Sequence, residues 1–128
     1  MKALNVLIVD DSKITIKRLA EMVVNAGHNV VSTATSGMLA LSEYRKYKPD
    51  IVTMDITMPD MDGLEATKKL IEYDPNALVV MMTSHGQEQI VIESIGAGAK
   101  GYLLKPFDAD RLKSVLEETY EKYGVKNA

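Results

Sequence analysis

Four places in this chain put chemically capable side chains directly behind apolar runs. Asp10-Asp11 follow Val6-Leu7-Ile8-Val9, Asp55 follows Ile51-Val52-Thr53-Met54, Thr83-Ser84 follow Leu78 to Met82, and Lys105-Pro106 follow Gly101 to Leu104. A bare carboxylate at the end of a buried segment is unfavourable unless something offsets it. Three carboxylates brought together also raise one another's pKa unless a cation lies between them. An all-oxygen set without His or Cys suits a hard divalent cation. Mg²⁺ fits best, because it keeps several waters and takes only one or two protein carboxylates. Neighbouring strand residues point to opposite sides, so one of Asp10 and Asp11 is expected to act through a water. A metal, the fixed charge of Lys105 and the hydroxyl of Thr83 form a cradle for a phosphoryl group. Asp55 is then placed to be the nucleophile that forms an aspartyl phosphate.

These residues need a scaffold that brings four segment ends to one place. Apolar runs at Val6–Val9, Asn29–Val31, Ile51–Met54, Leu78–Met82 and Gly101–Leu104 alternate with helical stretches near 12–26, 36–47, 63–73, 86–97 and 109–123. Strict βα alternation predicts an α/β fold with a parallel sheet and helices on both faces. The first, third and fourth runs are the most continuously apolar, as strands covered on both faces should be. The second, followed by Ser32 and Thr33, and the fifth, with Gly101 and Tyr102, read as edges. The order 2-1-3-4-5 satisfies this, and its switch point between strands 1 and 3 is where ligands bind, at the carboxyl ends of the strands.

Finer expectations follow from periodicity. In the first helix Ile16, Leu19, Ala20, Val23 and Val24 share one face, and Gly27 supplies the C-terminal cap. Ile14 lies about 200° from Ile16 around that helix and is expected to face solvent beside the acidic pair. In the fourth helix Val91, Ile92 and Ile95 are expected to face the sheet, with Ile90 pointing away. Asp10 or Asp11, Asp62, and Thr83 or Ser84 are candidate helix caps. Met54, Met81 and Met82 read as core filler. His28 reads as a turn residue and His85 as solvated.

Composition narrows the function. The 128 residues suit one domain spanning 1–128. Fifteen Lys and Arg against 18 Asp and Glu leave a net charge of -3, which argues against a nucleic-acid partner. The absence of Cys excludes disulfides and thiolate metal sites and fits a cytoplasmic location. The apolar stretch Ala3–Val9 runs into two Asp and is too short for a signal peptide or a membrane span.

Taken in order, these motifs resemble the receiver domain of two-component response regulators across nearly the whole chain. The resemblance rests on Val9-Asp10-Asp11-Ser12, on Met54-Asp55-Ile56-Thr57-Met58-Pro59-Asp60-Met61-Asp62-Gly63, on Thr83-Ser84, and on Gly98 to Phe107 with its Lys105-Pro106 step. It implies a CheY-like (flavodoxin-like) doubly wound fold with Asp55 as phosphoacceptor. Asp11, Asp55 and the backbone carbonyl of Thr57 would bind Mg²⁺ directly, and Asp10 through a water. Thr83 and Lys105 would hold the phosphoryl group, and Tyr102 would swing inward as Thr83 moves. It implies a cis Lys105–Pro106 bond. It further implies a single-domain switch without an output domain, not an enzyme, that assists its own phosphotransfer and dephosphorylation. The expected donor is a histidine kinase or a histidine phosphotransfer protein. The expected output is a flagellar motor switch protein in chemotaxis, or a further step of a phosphorelay. Ile14 is expected on the donor-docking surface, and Ile90, Val91, Tyr102 and Leu104 on an output surface.

Two other classes compete. A Mg²⁺-dependent aspartyl-phosphate phosphatase usually carries a second carboxylate two residues after the nucleophile, where this chain has Thr57. A flavodoxin-like electron carrier would present hydroxyls and backbone N–H groups to the FMN phosphate, where Asp10 and Asp11 would repel it.

Overall fold

The computed structural model describes residues 2–84 and 88–124. In chain order the elements are β1 (Asn5–Val9), α1 (Lys13–Asn25), β2 (Asn29–Ala34), α2 (Gly37–Tyr47), β3 (Ile51–Asp55), α3 (Gly63–Tyr73), β4 (Val79–Thr83), α4 (Glu88–Gly96), β5 (Gly101–Leu104) and α5 (Ala109–Tyr123). The five strands are parallel and ordered β2-β1-β3-β4-β5, as the sequence predicts. Among the described residues no helix is long and apolar enough to cross a membrane.

Strand alternation sorts the apolar residues into two cores. Val6 and Ile8 of β1, Ile51 of β3, Val80 and Met82 of β4 and Leu103 of β5 pack against Leu19 and Val23 of α1 and Leu112, Val115 and Leu116 of α5. Leu7, Val9, Val52, Met54, Val79 and Met81 point the other way, to Leu41 and Tyr44 of α2 and Ala66 and Leu70 of α3. The central strands β3 and β4 are buried at every position. Each buried Val, Leu or Ile side chain contributes about 1.5–3 kcal/mol relative to exposure.

Local signals set the helix ends. Ser12, Ser36, Asp62 and Asp108 N-cap α1, α2, α3 and α5, each accepting a backbone N–H three residues on. The cap of α1 is therefore Ser12, and not Asp10 or Asp11. After α1, Gly27 takes φ +90°, and His28 N–H closes back onto the carbonyl of Val23.

Four expectations are corrected. β2 runs on through Ser32 and Thr33 to Ala34, because its register against β1 shifts between Val6 and Leu7 and the later residues pair again. An edge strand tolerates these polar side chains because one flank is open. Val24 is 59% exposed, so the buried stripe of α1 ends at Val23.

α4 is rotated from the expected orientation. Ile92 and Ile95 are exposed, while Ile90 packs against the core and Ser94 is buried. Ser94 can be buried because its hydroxyl donates to the Ile90 carbonyl at 2.8 Å, leaving a small side chain that lets the helix sit close to the sheet. Finally, His28 does more than occupy a turn. It is buried, Nδ1 accepts the Leu4 N–H at 2.9 Å, and Nε2 lies 2.8 Å from Glu117 Oε2 on α5. The expectation for His85 falls outside the described residues.

Candidate functional site

The alternation that sorts the core also sorts the polar rim. Asp10 continues the Val6–Ile8 side of β1, Asp55 the Ile51–Thr53 side of β3, and Lys105 the Leu103 side of β5. All three therefore sit over the α1–α5 core. Thr83 follows the Met81 side of β4, and Tyr102 packs against the opposite core beside Ile90. Two sets of rim residues thus stand on the two faces of one sheet edge. Hydrogen bonds hold the strand ends that carry them: Ile56 N–H donates to the Met82 carbonyl at 3.2 Å, and Lys105 N–H to the Thr83 carbonyl at 2.7 Å.

One ligand oxygen from each of Asp10, Asp11 and Asp55 lies within 4.8 Å of the others. Asp10 and Asp55 are buried, whereas Asp11, the neighbour of Asp10 just past the end of β1, is exposed. Asp10 is committed at both oxygens. Oδ1 accepts the Ser12 N–H at 2.9 Å and Oδ2 accepts from Lys105 Nζ at 3.0 Å. The ammonium is more distant from Asp55, with 3.5 Å to Oδ1. Among the described residues, two of the three clustered carboxylates therefore share one ammonium.

The electrostatics record that deficit. Burial, and then the charge of Asp10, push the Asp55 carboxyl up to about 6; Lys105 pulls against them and does not win. Burial works against the Lys105 ammonium, yet the hydrogen bond to Asp10 and the charge of Asp55 outweigh it and hold its pKa above the ordinary lysine value. A site that leaves a carboxylate short of positive charge, with oxygen donors only, fits a hard divalent cation such as Mg²⁺.

The segment after Asp55 is held close by a glycine. A Cβ on Gly63 would collide with the Asp55 carbonyl oxygen and come within 2.9 Å of Ile56 Cα. Without one, Gly63 N–H donates to the Ile56 carbonyl at 2.7 Å and closes the loop of residues 56–62. Ile56 and Met58 are buried on either side of exposed Thr57. Thr83 is buried, Ser84 is exposed, and Lys105–Pro106 is cis.

The structure thus brings Asp10, Asp11, Asp55 and Lys105 into one cluster. Sequence reading placed Gly63 and Asp60 in the phosphoacceptor segment without a role for either; the partners of Asp60 lie on α2, and those that forbid a Cβ on Gly63 lie at Asp55 and Ile56. Ile14 is 70% exposed on α1, as its helical phase requires.

Residues 6–117 match the family model of the response regulator receiver domain. The chain is 44% identical to the chemotaxis protein CheY of Thermotoga maritima over 113 residues, which cover 88% of this chain and 94% of that protein. It is 41% identical to CheY of Bacillus subtilis over 114 residues, covering 89% and 95% of the two chains. Among solved structures, one from a CheX-CheY-BeF3-Mg²⁺ complex of Borrelia burgdorferi aligns with a TM-score of 0.85 and 40% identity, covering 95% of this chain and 90% of that one.

Proposed function

The chain belongs to the response regulator receiver domain family, and on that premise we propose that it is a chemotaxis phosphorylation switch with Asp55 as its phosphoacceptor. The observation that carries this reading is the convergence of Asp10, Asp11, Asp55 and Lys105, with more carboxylates than cations among the described residues.

Asp11, Asp55 and the Thr57 carbonyl would hold Mg²⁺, with Asp10 acting through a water. When bound, the ion offsets carboxylate repulsion and the negative charge of the incoming phosphoryl oxygens. An Asp55 carboxylate oxygen attacks the phosphorus of a phosphohistidine. The P–N bond breaks, the imidazole keeps the electron pair and takes up a proton, and an acyl phosphate remains on Asp55. Lys105, already beside Asp55, pairs with the phosphoryl oxygens, and the Thr83 hydroxyl donates to one of them. Water attacking the same phosphorus later returns Asp55 and inorganic phosphate.

The donor is a histidine kinase or a histidine phosphotransfer protein, met in the cytoplasm over the α1 surface that includes exposed Ile14. Output is a change in affinity for a partner such as a flagellar motor switch protein. As Thr83 engages the phosphoryl group, Tyr102 turns inward. It lines a cleft of about 320 Å³ between α4 and β5 with Val91, Ser94 and Ile95. Exposed Ile92, Ile95 and Leu104 extend that face, and the rotation of α4 moves the apolar contribution from Ile90 to these residues.

The decisive experiment is phosphorylation by a small-molecule phosphodonor with Mg²⁺. Asp55→Asn should abolish labelling, and retained labelling stable at neutral pH would make another residue the acceptor. Ile14→Asp should slow transfer from a protein donor and spare the small-molecule reaction. Equal losses in both would place Ile14 in the site itself.

A further inference from the structure

The loop that carries Thr57 is anchored to a helix that takes no part in the chemistry. The first four backbone N–H groups of an α-helix have no partner within it. In α2 three of them, those of Gly37, Met38 and Leu39, find side-chain partners. Gly37 N–H donates to Asp60 Oδ1 at 3.2 Å, and Met38 N–H to Asp60 Oδ2 at 3.2 Å. Leu39 N–H donates to Ser36 Oγ at 3.2 Å, and the helical ladder begins with Ala40 N–H on the Ser36 carbonyl at 3.0 Å. Two of these three capping bonds therefore come from the loop after β3, at Asp60, 23 residues from Gly37 along the chain.

Close packing backs up these two bonds. A Cβ on Gly37 would stand 2.8 Å from Met61 Cβ and 3.0 Å from the Met61 carbonyl oxygen, so glycine at that position is what lets the loop lie on the helix end. Asp60 and Met61 are fixed against α2, Gly63 N–H ties back to the Ile56 carbonyl, and Met58 is buried. Thr57 is left between pinned neighbours. Losing the Asp60 carboxylate would orphan two donors of α2 and release the middle of the loop.

We propose that Asp60 is a positioning residue for the metal site: by bonding the first turn of α2 through both oxygens, it holds the loop so that the Thr57 carbonyl is set before the cation arrives. This rests on the reading that Mg²⁺ is held by Asp11, Asp55 and Thr57. Asp60 itself contributes no ligand. It acts as the outer hydrogen-bonding partners of metal ligands do, and removal of such partners lowers metal affinity about 10–100-fold.

The test is Mg²⁺ titration of the unphosphorylated protein by calorimetry, with circular dichroism and an unfolding midpoint for each variant. Asp60→Ala should weaken Mg²⁺ about tenfold, and Asp60→Asn, which keeps one acceptor oxygen, by less. Asn also serves as the probe if the alanine variant does not fold. Ser36→Ala is the control, because it removes a cap from the same helix without touching the loop. It should lower the unfolding midpoint and leave Mg²⁺ affinity unchanged. If both Asp60 variants bind Mg²⁺ as wild type does, or if Ser36→Ala loses as much affinity as Asp60→Ala, the proposal is overturned. If wild type binds no Mg²⁺, the reading of the site fails and the proposal with it.

Discussion

The two ends of the sheet use the same kinds of side chain to opposite effect. At the amino ends of the strands, polar groups are matched within the chain. His28 accepts the Leu4 N–H and, with that nitrogen occupied, carries its proton on Nε2 toward Glu117. Asp50 accepts the Asn5 N–H at 2.8 Å and pairs with Lys2. At the carboxyl ends, Asp10 and Asp55 share Lys105, and Asp11 stands beside them. Among the described residues the first rim is paired within the chain, and the second holds more negative than positive charge. Unbalanced charge at one edge of a sheet whose other edge is paired marks where binding energy has been left available.

The contrast can be broken from either end. The largest effect is expected at the matched rim. His28→Ala leaves a buried N–H without an acceptor, Glu117 without its partner, and a cavity, and should cost about 2–4 kcal/mol in urea unfolding. A loss below about 1 kcal/mol would show that water replaces the ring at little cost.

At the other rim the sign reverses. Asp55 titrates near 6 in the folded chain and near 3.9 unfolded. Below about pH 4 both states hold the proton and there is no difference between them. Between about 4 and 6 the unfolded chain loses its proton first, so stability falls as pH rises. Above about 6 the full penalty applies, at most about 3 kcal/mol for two pKa units. Asp55→Asn in chelator should therefore be more stable than wild type at neutral pH, with the gain vanishing toward pH 4. Added Mg²⁺ should narrow the gap by stabilising wild type. A pH-independent difference would mean that Asp55 is not held short of positive charge.

A smaller effect tests the ground beneath the site. Thr53 lies one pleat below Asp55, and its Oγ1 is buried without a hydrogen-bond partner among the described residues. Thr53→Val keeps the shape and removes the orphan, so it should be neutral or stabilising by about 1 kcal/mol. A loss of that size would show that the hydroxyl has a bound water to hold. Smallest of all, Lys2→Ala removes an exposed ion pair with Asp50 and an ammonium 5.0 Å from the Tyr120 ring centre, and should move the unfolding midpoint least of the four.

How much of this was legible in sequence depended on whether a neighbour in the chain or a neighbour in space decides each residue. Strand order, the rim residues and the phase of Ile14 follow from alternation and helical period, which are local, and the fold follows those patterns. α4 defeated the same logic. Its Val91, Ile92 and Ile95 form a continuous apolar patch, but the buried stripe runs through Ile90 and Ser94, because a serine bonded to its own helix packs as a small residue. β2 continued past its apolar core because pairing with β1, not hydropathy, ends an edge strand. The partners of His28 and Asp60 lie 89 and 23 residues away in the chain, beyond the reach of any local pattern.

Alternation along β3, β4 and β5 has one more consequence. Consecutive positions address different halves of the molecule: Leu103 and Lys105 belong with the α1–α5 core and the acidic cluster, and Tyr102 with the opposite core. The strand thus behaves like a reading frame. Insertion of one residue just before Lys105, at the end of β5, would point the lysine away from Asp10 and Asp55. Insertion of two would restore the layer but carry the ammonium about 7 Å further along the strand, past the carboxylates it must reach. Replacements that keep the frame can remodel Tyr102 and the α4 surface while leaving Asp10, Asp55 and Lys105 where they are. In such a chain, lineages can exchange partners by substitution far more readily than by changes in length.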